Sequence, residues 1–380
     1  MKVAIIGQGY VGSALGIAAH KSGHDVLGIE IDKKRRIEIA SSIGYSVSAD
    51  YSSVQGSDVV VIAVPTPLNE KREPDLTFLE SACKSLAAVL KSSVLVVNES
   101  TSYPGTLRNV IAPILGDVHL YAAAPERIDP ANEKWGIENT PRLVSGLSSE
   151  ATSKALDFYR SFCEEVVAVS TPEVAEAAKL FENTFRQVNI ALVNEFAQIA
   201  QALGISTFET LGAAATKPYG FMPFLPSIGV GEHCIPVDPS YLSFAAEKVG
   251  VEASFINLAN NVNASMPEYL AARISELLGG SVSGKTIQVA GISYKAGVAD
   301  TRESPALKLI SLLRGAGAKV SWHDQVVGEW NGESSTPLSS VDLGVIATAH
   351  EGVDYSAWKN EKTMVIDVST SSNTGWPKFL

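Results

Sequence analysis

Lys2-Val3-Ala4-Ile5-Ile6-Gly7-Gln8-Gly9-Tyr10-Val11-Gly12 decides how the first part of this chain folds. A short apolar run, read as a strand, leads directly into Gly-x-Gly-x-x-Gly, and Ser13 to Ser22 then reads as a helix ended by Gly23. Glycines at that spacing make the turn, let backbone approach a pyrophosphate and let helix and strand pack closely, while free N–H groups at the helix start face the anion. A second strand, Asp25-Val26-Leu27-Gly28-Ile29-Glu30, ends in an acid at about the spacing of a ribose diol contact. Glu30 would accept both ribose hydroxyls and repel a 2′-phosphate, which favours NAD over NADP. Asp32 with Lys33-Lys34-Arg35-Arg36 reads as a solvated helix start, but a basic run so near the ribose keeps NADP open. The plainer alternative is a glycine turn without a nucleotide.

Working outward, strands and helices alternate to about Val169. Asp58-Val59-Val60-Val61-Ile62-Ala63-Val64 and Val94-Leu95-Val96-Val97-Asn98 are apolar on both faces, as strands of a covered parallel sheet are. Such doubly wound sheets bind ligands beyond the carboxyl ends of their strands, where Pro65-Thr66-Pro67, Glu99-Ser100-Thr101 and Pro125-Glu126-Arg127 fall.

Ser170-Thr171-Pro172-Glu173 carries a capping residue, a first-turn proline and an acid, and predicts a helix start. Apolar residues recur at Val174, Ala178, Phe181, Phe185, Val188, Leu192, Phe196, Ile199 and Leu203, up to Gly204. This is one long helix of roughly 45 Å, long enough to link two lobes and to offer a dimer surface. Ser206-Thr207-Phe208-Glu209 starts another helix and Pro267 to Leu278 reads as a third. The glycine-rich 279–284 segment marks a boundary. Beyond it Thr286–Ile292, Lys319–Trp322, Leu343–Ala347 and Met364–Val368 read as strands of a smaller α/β domain without Gly-x-Gly-x-x-Gly. The expected architecture is α/β: two Rossmann-like doubly wound domains, 1–169 for the dinucleotide and 279–380 for a different ligand, joined by a central helical domain, 170–278, with one long helix.

The formal charge of the 380-residue chain is 30 − 41 = −11, with no basic stripe, which argues against nucleic acid or an anionic membrane as partner. No apolar run approaches the ~20 residues that span a bilayer, and the start reads as strand and glycine loop, not as a signal peptide, so a cytoplasmic enzyme is expected. Three distant cysteines, Cys83, Cys163 and Cys234, form neither a disulfide framework nor a metal cluster, and no metal is expected. Cys83 and Cys163 lie in apolar helical stretches and read as packing residues.

Cys234 has another setting, Gly229-Val230-Gly231-Glu232-His233-Cys234-Ile235-Pro236-Val237-Asp238-Pro239. A nucleotide alone can take an alcohol to an aldehyde. A nucleophilic cysteine can hold that aldehyde covalently through a second oxidation, giving an acid. The two features together indicate a four-electron oxidation. Lys179 and Asn183, four apart on the long helix and off its apolar stripe, could hold a substrate oxygen or a water, or simply form a solvated face. If the chain after the cysteine loop turns helical, Asp238 lies one turn from the sulfur.

These residues resemble the UDP-glucose/GDP-mannose dehydrogenase family over nearly the whole chain. The resemblance is carried by Gly7-x-Gly9-x-x-Gly12, Val64-Pro65-Thr66-Pro67, Glu99-Ser100-Thr101, Pro125-Glu126-Arg127, Ala178-Lys179-Leu180-x-Glu182-Asn183-Thr184-x-Arg186, Gly229-x-Gly231-x-x-Cys234 and Asp300-Thr301-Arg302-Glu303-Ser304-Pro305. Thr216-Lys217-Pro218-Tyr219-Gly220-Phe221, with the run from His233 to Pro239, most resembles the branch acting on UDP-N-acetylhexosamines, GlcNAc or ManNAc. The resemblance implies an NAD-dependent homodimer with a UDP-sugar substrate. Cys234 would be the nucleophile, passing through a thiohemiacetal and a thioester, and Lys179 would stabilise developing oxyanions. Asn183 and Asp238 would position a water and tune Lys179, Glu126 would be the base for hydrolysis, and Thr101 would hold the water. The implied cofactor residues are Gly7, Gly9, Tyr10, Val11, Gly12, Glu30, Pro65, Thr66 and Arg302. Those implied for the substrate are Arg127, Lys217, Tyr219, Phe221, Gly231, Tyr294 and Lys295, the last pair offering ring and charge to uracil and diphosphate.

Two departures bear on rate and substrate. Glu232 stands where the family loop usually has a second glycine, and Ser227-Ile228 replaces the usual Gly-Pro. A carboxylate beside a thiol disfavours the thiolate. Three readings remain open: the four-electron nucleotide-sugar dehydrogenase, including a UDP-glucose enzyme; a two-electron 3-hydroxyacid-type dehydrogenase, which would need no cysteine; and a non-catalytic sensor. Arg302 could also be no more than a partner of Asp300 or Glu303.

Overall fold

Residues 1–128, 132, 134–231, 235–371 and 374–380 are described by the structure, a computed structural model. Glu232, His233 and Cys234 lie outside the described residues. The chain falls into two units, Met1–Glu182 with Ser240–Glu252, and Asn183–Pro239 with Ala253–Leu380.

The first unit is built from β1 (Lys2–Ile6), α1 (Tyr10–Lys21), β2 (Asp25–Ile29), α2 (Lys33–Ile39), β3 (Ser46–Ser48), β4 (Val59–Ile62), α3 (Thr77–Val89), β5 (Leu95–Asn98), α4 (Ala112–Leu115), β6 (Leu120–Ala123), β7 (Arg142–Gly146), α5 (Ser149–Arg160) and β8 (Val166–Ala168). The sheet runs β3-β2-β1-β4-β5-β6-β7-β8, parallel except where β6 meets β7. Its first six strands have the order of a doubly wound dinucleotide fold. Val3, Ile5, Val61 and Val97 pack with Leu15 and Phe158 in the core on one side of this sheet. Strands buried on both faces leave only their carboxyl ends for chemistry, and the loops there are tied together. The Ser100 hydroxyl accepts from Val64 N–H at 2.9 Å, and Ala124 N–H donates to the Asn98 carbonyl at 3.0 Å.

Helix α6 (Pro172–Leu203) contributes residues to both units, and α7 (Thr207–Ala215) comes after it. At the start of α6 the Thr171 hydroxyl accepts from Val174 N–H, with Pro172 opening the helix. The predicted Ser206 cap is in place, accepting from Glu209 N–H at 3.2 Å. Helix α8 (Asp238–Lys248) begins at Asp238 itself. Residues 235–237 form a turn that leads into it, and the expected spacing between Asp238 and the Cys234 sulfur lies outside the described residues. Helix α9 (Ser254–Leu277) starts thirteen residues before the expected Pro267, which lies inside it.

The apolar repeat of α6 identifies the helix but not its buried face. Phe181, Leu192 and Leu203 are 65, 65 and 67 % exposed, whereas Ala175, Ala191, Ala197 and Ala200 are buried. Leu180 and Val193 are buried with these small residues, while Phe181, Leu192 and Leu203 point outward.

In the second unit β9 (Thr286–Ala290), α10 (Pro305–Gly315), β10 (Lys319–His323), β11 (Glu329–Trp330), β12 (Glu333–Ser334), β13 (Leu343–Ile346) and β14 (Met364–Asp367) form a parallel sheet of order β10-β9-β13-β14 and a small β11-β12 ribbon. Ile287, Val289 and Val345 pack against Leu309, Ile310 and Leu313 of α10.

Candidate functional site

The three glycines after β1 have different tasks. Gly7 has φ +90°, and a Cβ there would lie 2.4 Å from the Ala63 carbonyl oxygen; one at Gly12 would lie 1.9 Å from the Gly7 oxygen. Both are demanded by packing. A Cβ on Gly9 would meet nothing within 4 Å, so the bare backbone there answers no internal need. That open approach at a helix N-terminus fits a dinucleotide pyrophosphate. Tyr10, exposed, and Val11, half-buried, begin α1 beside it.

Glu30 fits the ribose role equally well. Its oxygens accept from Gln8 N–H at 3.0 Å and Asp32 N–H at 2.9 Å, which fixes the carboxylate beside the glycine loop with lone pairs to spare. The two arginines of the basic run bond the backbone: Arg35 Nε donates to the Gln8 carbonyl and Arg36 to the carbonyls of Glu30 and Ile31, while Asp32 caps α2. Pro65 is exposed, and Thr66 is buried with its carbonyl accepting from Tyr241 OH at 3.0 Å.

At the ends of β5 and β6 the first unit holds a buried polar cluster. Lys179, one of the two helix polars that also read as a solvated face, is 7 % exposed and donates to Thr101 Oγ1 at 2.6 Å. Glu126 is 5 % exposed. Burial raises its carboxyl above the usual range, against the pull of Arg142 and Lys179, and it accepts from Ile128 N–H. A buried acid with raised proton affinity beside a buried ammonium is the arrangement general acid–base chemistry needs. Arg127 is held by Glu182 through two bonds, Nε to Oε2 at 3.0 Å and Nη2 to Oε1 at 2.6 Å, and by the Pro141 carbonyl.

In the second unit Asn183 Nδ2 donates to Asp238 Oδ2 at 2.6 Å, and Asp238 is 1 % exposed. The stem of the cysteine loop is tightly packed. A Cβ on Gly231 would lie 2.7 Å from Tyr294 Cβ, and one on Gly229, at φ +129°, 2.9 Å from the Asn263 carbonyl oxygen. Gly231 therefore serves the fit of one backbone segment against Tyr294, whatever else approaches it. Tyr294 and Lys295 are half-buried: Tyr294 N–H donates to the Asp300 carbonyl, and the Lys295 carbonyl accepts from the Ser293 hydroxyl. Arg302 is exposed and donates to both Asp300 oxygens, Nη2 to Oδ2 at 2.5 Å. Lys217 lies 4.9 Å from the Tyr219 ring centroid, with Tyr219 and Phe221 exposed.

Three domains of one family match this chain: the UDP-glucose/GDP-mannose dehydrogenase NAD binding domain at residues 36–163, the central domain at 173–265 and the UDP binding domain at 288–371. A UDP-N-acetyl-D-mannosamine dehydrogenase from Pyrococcus horikoshii is 34 % identical, with 95 % of this chain and 92 % of that protein covered. The chain belongs to the UDP-glucose/GDP-mannose dehydrogenase family. A UDP-N-acetyl-D-glucosamine 6-dehydrogenase from Pseudomonas aeruginosa is 30 % identical over 95 % of this chain and 92 % of its own. The solved structure of the UDP-D-ManNAc dehydrogenase from Pyrococcus horikoshii superposes with a TM-score of 0.86 at 32 % identity, covering 97 and 95 % of the two chains. As a member of this dehydrogenase family the chain is an NAD-dependent oxidoreductase, with parallel α/β sheets in its NAD and UDP binding domains.

Several polar residues of this cluster have no role legible in the sequence. Glu99 stands within Glu99-Ser100-Thr101 with no evident task there, and in the fold it pairs with Arg142 at 3.2 Å, both fully buried. Glu176, one turn before Lys179, accepts from the Ser102 hydroxyl and from Gly105 and Leu107 N–H, and burial pushes its carboxyl up to about 7. Position on the helix is the available signal for Glu176. For Arg142 it is a charge opening an apolar strand.

Proposed function

We propose that this protein is a UDP-sugar 6-dehydrogenase that oxidises the C6 hydroxymethyl of a UDP-N-acetylhexosamine, GlcNAc or ManNAc, to a uronic acid, consuming two NAD and one water. It works as a cytoplasmic homodimer. The segments 1–169, 170–278 and 279–380 divide the tasks of holding NAD, carrying the catalytic helix and cysteine loop, and binding the UDP-sugar. The observation that supports this best is the buried Lys179–Thr101 pair beside buried Glu126, within a chain whose relatives act on UDP-N-acetylhexosamines.

Bound NAD would accept the electron pair released at each of the two oxidations. The remaining steps belong to the chain. Lys179, kept in place by Thr101, offers a fixed positive charge to the oxygen that becomes negative as the alcohol is deprotonated and as the carbonyl is attacked. Cys234, assigned on the sequence alone, adds its sulfur to the C6 aldehyde and later carries the acyl group as a thioester. Glu126 takes a proton from water as the water oxygen bonds to that acyl carbon; the C–S bond then breaks and the thiolate leaves. Asn183 and Asp238, tied to each other, orient the water and tune Lys179. Gly7, Gly9, Tyr10, Val11, Gly12, Glu30, Pro65, Thr66 and Arg302 serve the cofactor. Arg127, Lys217, Tyr219, Phe221, Gly231, Tyr294 and Lys295 serve the substrate.

Measuring NADH formed per mole of UDP-GlcNAc, UDP-ManNAc or UDP-glucose consumed tests the proposal. Two NADH with one of the acetamido sugars is expected. One NADH per substrate, or none with any, overturns it. Cys234→Ser is expected to abolish acid formation and leave NAD affinity within about twofold, a difference under about 0.5 kcal/mol.

A further inference from the structure

Strand β7 opens with an arginine where the chain is closed to water. Arg142 is 3 % exposed, its guanidinium lies 3.2 Å from Glu99 Oε2, and Nη1 donates to the Ala124 carbonyl at 3.2 Å. Its Cζ lies 5.1 Å from the Tyr159 ring centroid, and the Tyr159 hydroxyl donates to Glu99 Oε1 at 2.5 Å. The carbonyl that Arg142 grips opens Ala124-Pro125-Glu126, the turn that presents Glu126. Three charged side chains act on Glu126 from three elements: Arg142 from β7, Lys179 from α6 and Glu99 from the loop after β5. Beside Arg142 there are also Tyr159 and the Cys163 thiol.

A buried ion pair adds little stability over apolar replacements, so its retention asks for another reason. An uncompensated guanidinium next to Glu126 would hold that carboxylate ionised and make it a poor proton acceptor. An uncompensated Glu99 would do the reverse and keep Glu126 protonated. With that pair intact, Glu126 also feels the Lys179 charge.

We propose that Glu99, Arg142 and Tyr159 form a charge-balancing set that fixes how readily Glu126 takes up a proton, and are positioning residues for thioester hydrolysis. The inference rests on reading Glu126 as the base of that step, and its test separates the two.

The direct readout is the side-chain carboxyl 13C resonance of Glu126 in enzyme labelled with 13C-glutamate, assigned by its absence from Glu126→Gln and followed against pH. Glu99→Gln, which frees the Arg142 charge, is expected to move the titration of Glu126 down by about one to three pH units. Arg142→Met, which frees Glu99, is expected to move it up by a similar amount. The double variant Glu99→Gln/Arg142→Met replaces an ion pair by a neutral pair and returns the titration close to wild type. Tyr159→Phe keeps every charge and is expected to move it slightly in the direction of Glu99→Gln. If Arg142→Met fails to fold, the downward displacement in Glu99→Gln and its reversal in the double variant carry the test. Titrations coinciding within about 0.3 pH unit in all folded variants, a small fraction of an ordinary ion-pair effect, overturn the inference. The acid limb of acid formation is expected to follow the same displacements, which a merely structural role would not produce. Full acid formation by Glu126→Gln would instead overturn the reading of Glu126 as base, while the carboxyl titration continues to report the charge set.

Discussion

The two parallel sheets begin in the same way and then diverge. In each, the first strand ends on a glycine with positive φ, Gly7 at +90° after β1 and Gly291 at +83° after β9. In each, a Cβ would collide with a carbonyl oxygen beyond the neighbouring strand, Ala63 at 2.4 Å and Thr348 at 1.9 Å. The strand orders β2-β1-β4-β5 and β10-β9-β13-β14 also correspond. Past the shared glycine the two loops part. The first sheet goes at once into α1 through bare Gly9. The second interposes Ile292 to Ser304 before α10 and ties that segment down through Asp324, which accepts from Ile292 and Ser293 N–H and from His350 Nε2. The glycine therefore belongs to the fold, and ligand identity is written in the residues that come after it.

Breaking the shared part should have the largest effect. Gly7→Ala and Gly291→Ala each force a side chain into a left-handed conformation and onto a carbonyl oxygen, and each is expected to lose about 3 kcal/mol or more in urea unfolding. Tolerance of either within about 0.5 kcal/mol would mean that the glycine serves something other than packing.

Asp324 sharpens the difference. Burial opposes its charge, but the His350 hydrogen bond and the backbone N–H groups of Val327, Val326 and Ser293 hold its carboxyl well below the usual carboxylate range. A carboxyl lowered on folding contributes stability that is complete above its ordinary range and is lost as pH falls through the lowered folded value. Asp324→Asn is expected to cost about 2 kcal/mol at neutral pH and less in strong acid. Unfolding measured across acidic pH checks this, and an undiminished difference at the acid end would remove the charge from the explanation.

The smallest stability effect belongs to Gly9→Ala. With open space around it, the substitution is expected to cost about 1 kcal/mol or less in stability, yet to weaken NAD binding by about tenfold or more, roughly 1.4 kcal/mol. Titrating NAD against the variant and comparing unfolding curves separates the two quantities.

The sequence made the first of these loops legible because strand, glycines and acid are contiguous and each has one physical task. It showed the second sheet by its apolar strands, but not Asp324 or His350, whose pairing joins residues far apart in the chain. Lys179 shows the same limit on a helix. Periodicity places it off the stripe of Phe181, Phe185 and Leu192, where a solvated face is one reading, whereas the alanine-lined face with Lys179 and Glu176 is interior and those large residues are exposed. Hydrophobicity alone does not say which partner covers a helix face. Glu126 and Thr101 could be placed because they end strands of a parallel sheet. Arg142 could not, since only the fold brings it to Glu99.

The two cysteines packed in the first unit carry a practical corollary. Cys83 and Cys163 are buried, and burial pushes their thiols up to about 12 and about 11. Alkylating reagents attack thiolates, so at neutral pH both are blind to iodoacetamide while the protein stays folded. Any adduct that native protein acquires, weighed as a single mass increment, therefore reports residue 234, and its rate against pH measures the reactivity of the thiol next to Glu232 in the sequence.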